Sequence, residues 1–121
     1  MITGIFTVLL DGKLLGYTNL EYADNAMGIL CGKLFFTDVQ SPYHFLKAYA
    51  LINAIELYDD DENEKLISLA VLPKIEILVT QTGALIHVGA AIEGMESDDF
   101  QITLFECLPE KFQLAFQNAN S

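Results

Sequence analysis

The chain has 121 residues, with seventeen Asp and Glu against six Lys and no Arg, for a formal net charge of −11 at neutral pH. Because 52% of its residues are hydrophobic, it is not an acidic disordered segment, which pairs high charge with low hydrophobicity. A folded body with so negative a field repels nucleic acid and anionic membrane surfaces and attracts basic partners.

Residues 3–10 are β-branched and apolar and run into Asp11-Gly12, a two-residue hairpin signal. Asp tolerates the positive φ that a type I′ turn requires, and Gly accepts it freely. A returning strand over 13–20 follows, then a turn around 22–26 and a third strand over 27–36. Gly28 and Gly32 within it mark bulges or a close approach by another part of the chain. Ser41-Pro42 is a helix start, Ser as cap and Pro at the first position. Helical spacing continues over 43–58, with Phe45, Ala48, Tyr49, Ile52 and Ile55 on one face. Leu46, Leu51 and Leu57 depart from that face, so the helix is apolar on more than one side. The acidic residues 59–64 suit the N-terminus of a short second helix over 65–72. A strand is the alternative reading for 66–72. Period-two alternation then runs from Lys74 to Thr80 and through Ile86, Val88, Ala90 and Ile92, with a turn at Gln81-Thr82-Gly83. A polar loop spans 93–99, another strand begins at Phe100, and 110–117 reads as a short helix or a last strand. The order β-β-β-α-α-β-β-β implies one α+β domain over residues 1–121, with helices packed on one face of an antiparallel sheet.

Cys31 and Cys107 both lie in apolar runs and read as reduced, buried thiols. The N-terminus lacks a basic n-region, and no run approaches the ~20 apolar residues of a membrane span. Together with the unpatterned cysteines, these features lead us to expect a cytoplasmic protein.

Two acidic runs are the candidate site: Asp59, Asp60, Asp61, Glu62 and Glu64, and then Glu93, Glu96, Asp98 and Asp99. Against the calcium-loop pattern, Asp59, Asp61 and Asn63 match the first ligands. Glu64 stands where the turn glycine is required, and Ala70 where the bidentate Glu belongs. No metal site or cofactor is therefore expected. His44 and His87 belong to no ligand pair, and phosphate-binding glycine motifs are absent. A Cys107–His87 pair stays open, although Glu106 beside the thiol disfavours the thiolate. Tyr17, Tyr22, Tyr43 and Tyr58 sit near element ends, where tyrosine serves as an interface anchor.

The segment from Val8 through Leu9, Leu10, Asp11, Gly12, Lys13, Leu14 and Leu15 to Gly16, with Met27-Gly28 and Gly32-Lys33-Leu34-Phe35 after it, resembles the start of small bacterial proteins of the toxin-immunity type, among them those of contact-dependent inhibition. The resemblance covers the first third of the chain and carries no functional residues over. It implies a non-enzymatic inhibitor that neutralises a basic, nuclease-like toxin by occluding its positive cleft. The acidic runs would steer and pair with Lys and Arg of that partner. The competing expectation is an adaptor acting through its apolar helix, by docking or as a homodimer. A small ligand-binding protein or enzyme comes third.

Overall fold

The computed structural model describes residues 6–24, 29–79 and 83–105. Strands β1 (Phe6–Leu10) and β2 (Lys13–Thr18) form the expected hairpin, with Asp11 at φ 53° and Gly12 at φ 76° in its two-residue turn. Strand β3 (Glu21–Asp24) occupies residues the sequence assigns to a turn, and pairs with β4 (Ile29–Phe36). At Gly32 the expected close approach is present. Along one edge of β4 the partner changes from β2 to β3, and the chain joining those two strands crosses the point of change. A Cβ at Gly32 would stand 2.1 Å from the Asn19 carbonyl oxygen, while Asn19 Oδ1 accepts the Lys33 N–H at 3.1 Å. Gly28 lies outside the described residues.

Helix α1 (Pro42–Ile52) starts where Ser41-Pro42 predicts, with Ser41 as its N-cap. It stops well before Tyr58. Asn53 donates both its backbone N–H and its side-chain amide to the Tyr49 carbonyl. Ala54 then takes φ 56°, and the Ile55 N–H reaches back to the Ala50 carbonyl at 2.8 Å. This left-handed cap satisfies the last carbonyls and turns the chain away. The buried side of the helix also differs from the expected one. Tyr43, Leu46 and Ala50 are buried, whereas Phe45, Ala48 and Ile52 face solvent. Both sets fit the i, i+3, i+7 spacing, so periodicity could not choose between them.

No second helix follows among the described residues, and the element expected over 110–117 lies outside them. Strands β5 (Leu57–Asp61) and β6 (Leu66–Leu69) make an antiparallel hairpin. Asp61 Oδ1 accepts the backbone N–H groups of Asn63 and Glu64, and Lys65 closes the turn at φ 51°. Local side-chain bonding of this kind competes directly with helix formation, and Ile67 and Leu69 bury in strand alternation. Strands β7 (Leu72–Val79), β8 (Ala84–Met95) and β9 (Phe100–Phe105) complete the described elements.

The expected α+β layer architecture is therefore corrected to a closed antiparallel β-barrel with one helix among the described residues. Six strands form the ring β1-β2-β4-β9-β8-β7, and β7 pairs back to β1. Closure depends on β9, which pairs along one edge with β4 and along the other with β8. Alternation in the sequence shows which residues face inward, but not whether the sheet curls onto itself. A closed sheet buries its apolar face without a layer of helices. Val8, Leu30, Ile77, Ile92, Ile102 and Leu104 fill the interior, and α1 packs on β6 beside it. No helix among the described residues is long and apolar enough to cross a membrane.

Candidate functional site

The β5–β6 hairpin extends the barrel wall, because β6 pairs with the far end of β8. The two acidic runs thereby meet. Asp59 lies opposite Ser68, Ser68 opposite Glu93, Glu93 opposite Gln101, and Gln101 opposite Lys33. These five residues cross five strands in one outward-facing row. Asp98 and Asp99, from the turn between β8 and β9, join Asp59 and Glu93 around a depression of about 320 Å³ above that row. Glu62 and Glu64 stand exposed at the hairpin tip.

Cation pairing separates these residues into two groups. Lys33 pairs with Asp99 at 3.2 Å, Lys47 with Asp60 at 3.1 Å, and Lys65 with Glu96 at 3.7 Å. Among the described residues, no lysine or histidine forms an ion pair with Asp59, Glu62, Glu64, Glu93 or Asp98. Their charge is exposed and uncompensated. The carboxylates do not converge on a point, and no group of three or more acidic, His or Cys side chains among the described residues could hold a metal ion.

Asp60 and Glu96 have a different task. Strand alternation turns Asp60 to the opposite side of the hairpin from Asp59, where it accepts a hydrogen bond from the Tyr43 hydroxyl and pairs with Lys47. The Tyr43 bond holds the Asp60 carboxyl below its usual range, against the opposing effect of burial, with help from Lys47. Glu96 reaches across to the start of α1, accepting from the Ser41 hydroxyl and, at 3.2 Å, from the Tyr43 N–H. The Ser41 bond is the main reason its carboxyl is lowered, with the Tyr43 N–H and Lys65 adding to it against burial. A carboxylate there also suits the positive end of the helix dipole. Of the nine candidate residues, Asp60 and Glu96 thus tie the face to α1, and Asp61 shapes the hairpin turn. Asp59, Glu62, Glu64, Glu93, Asp98 and the lysine-paired Asp99 form the open face.

Ser41, His44 and Glu96 do not form a hydrolytic triad. The Ser41 hydroxyl donates its single proton to Glu96 rather than to His44 Nδ1, which stands 2.7 Å from Ser41 Oγ. An imidazole that activates serine accepts the proton instead. His87 pairs with Glu76 at 3.3 Å on the barrel exterior, and its proposed neighbour Cys107 lies outside the described residues. Cys31 is half-buried on β4. Among the tyrosines considered as anchors, Tyr43 is fully buried, Tyr17 and Tyr58 are exposed, and the Tyr22 side chain is outside the described set.

One concavity had no signal in the sequence. A hollow of about 670 Å³ opens between the β1–β2 hairpin, the 37–41 connection and α1, with Leu14, Val39 and Phe45 among its apolar walls. Tyr49 lines it as well. Burial pushes the Tyr49 phenol up to about 12, and a hydrogen bond to Asp11 adds to the shift. Only long-range pairing of β1, β2 and α1 creates this space, so no local pattern announces it. Comparison of the chain with family models, curated proteins and solved structures finds no match.

Proposed function

We propose that the acidic face binds a basic protein and that the chain is an immunity-type inhibitor, neutralising a nuclease-like toxin by filling its positive cleft. The observation that carries this reading is the shared row: residues 34 positions apart in sequence, Asp59 and Glu93, stand on one face with Asp98 and without paired cations. Unpaired carboxylates spaced along a strand row offer a phosphate-like pattern of negative charge to a surface built for nucleic acid. They also steer a basic partner toward contact. The cytoplasmic location expected from the sequence belongs to this reading, since such an inhibitor acts where the toxin would reach its substrate.

A pull-down from source cells at low and moderate salt, with bound proteins identified by mass spectrometry, provides the first test. The expected result is one basic protein, released as salt rises. The combined variant Asp59→Asn, Glu93→Gln, Asp98→Asn should then slow its association by about tenfold or more at low ionic strength. Unchanged association and unchanged salt dependence in that variant would overturn the assignment of the face.

A further inference from the structure

Among the described strands, closure of the ring leaves two outer ones, β3 and β5, each paired along a single edge. β5 holds three carboxylates, Asp59, Asp60 and Asp61. Successive residues of an antiparallel strand turn their N–H and C=O groups to opposite edges, so part of those in β5 point away from β6. Among the described residues, no backbone hydrogen bond reaches that outer edge. Tyr58, Asp59, Asp60 and Asp61 are all exposed, so neither α1 nor the barrel covers it. We infer that an extended segment of a basic partner adds to this edge as a further strand, with Lys or Arg at every second position.

Such a strand is one way for the acidic face to engage the basic protein proposed above, and it presupposes that reading. Free N–H and C=O groups along an edge take up extended main chain, and the side chains decide whose. A second copy of this chain would lay Asp59, Asp60 and Asp61 against themselves, and like charges across a strand pair are destabilising. Charged side chains commonly guard outer strands against such pairing. Here the guard has one sign, because β5 contains no lysine. It repels another acidic strand and attracts a basic one.

Register gives the pattern. Pairing of β5 with β6 shifts at Tyr58 and is regular from Asp59, opposite Ser68, to Asp61, opposite Leu66. A residue of the added strand opposite Asp59 extends the outward row by one position, with its Cβ about 5 Å from that of Asp59. Asp59 has no ion pair among the described residues, so Lys or Arg there supplies one. The next position of the added strand alternates to the Asp60 side, where Tyr43 and Lys47 already engage the carboxylate. A cation adds little there. Asp61 returns to the Asp59 side and favours a second cation, two residues from the first. Basic residues are therefore expected in alternation, not in a block.

Titration of the full chain with three end-blocked peptides, followed through its backbone amide NMR signals, tests this. The first peptide alternates Lys and Val. The other two are the same peptide N-methylated at every Lys amide or at every Val amide, so that each blocks one edge of the added strand and keeps the charge. The first peptide should slow amide exchange in β5. One methylated form should bind as the parent does, and the other should lose about tenfold or more in affinity. Asp59→Asn, at an exposed and unbonded side chain, should weaken the parent peptide about threefold. Equal binding of all three peptides, weakened by salt, overturns the added strand and leaves the acidic face standing. Unchanged β5 amides up to millimolar peptide overturn it as well, and so does protection of β3 in place of β5.

Discussion

A methyl group added at Gly32 would meet the Asn19 carbonyl oxygen at 2.1 Å, and one at Gly94 would meet the Asp99 carbonyl oxygen at 2.5 Å. Both obstacles are backbone atoms, one in the link from β2 to β3 and one just ahead of β9, so the main chain itself must shift. Gly32→Ala is expected to cost about 2–4 kcal/mol, whereas Gly12→Ala, with open space around it but φ 76°, should cost about 1 kcal/mol. Urea unfolding of the two variants measures this, and equal losses would show that close approach is not what Gly32 provides. Titration is also a residue-scale matter. Glu96 and Asp60 have carboxyls lowered by the Ser41 and Tyr43 bonds, so their contribution is complete above about pH 4 and is lost as pH falls through their depressed values. Tyr49 behaves oppositely. Its raised phenol contributes below about pH 10, and that contribution is lost as pH rises toward the folded value of about 12. Stability followed from acid to alkali should fall at both ends, with Glu96→Gln flattening the acid limb and Tyr49→Phe the alkaline one.

Among the elements, α1 and the β5–β6 hairpin separate what was legible from what was not. Asp11-Gly12 and Ser41-Pro42 were readable because each residue's own backbone preference determines the turn or the cap, with no distant partner needed. The two acidic runs were likewise found, since carboxylate density is a property of the chain alone. The short helix expected over 65–72 was a misreading, because five nearby acidic residues resemble a helix start. The strand alternative for 66–72 is the one observed, over 66–69. The local bonds from Asn63 and Glu64 N–H to Asp61 and the pairing of β5 with β6 decide it. The split between open-face residues and the ties at Asp60 and Glu96 was hidden for the same reason. It depends on which side of a strand faces the helix. Ser41 serves both as N-cap and as donor to Glu96, so Ser41→Ala should cost about 1–2 kcal/mol by thermal or urea unfolding. It should also loosen the hairpin, seen as faster amide exchange in β5 relative to β1. A loss confined to α1 would show that the Glu96 tie does not hold the hairpin.

For the whole molecule, with a net charge of −11, the open acidic face is a source of self-repulsion. Unpaired Asp59, Glu93 and Asp98 repel one another across a single depression, so moderate salt should raise the thermal midpoint, and neutralising all three should raise it further at low salt. A midpoint indifferent to both changes would show that the carboxylates are too far apart to repel. Barrel closure has a consequence for how such a protein can change over generations. The ring of six strands has no free edge of its own, and the hairpin bearing the charge adds Ile67 and Leu69 to the interior while residues 59–65 remain in solvent. Apart from Asp60, Asp61 and Lys65, which anchor and shape it, that tip can be rewritten at little cost to folding. A lineage built on this scaffold can redraw its rim by altering a few letters, leaving the barrel as an inherited constant.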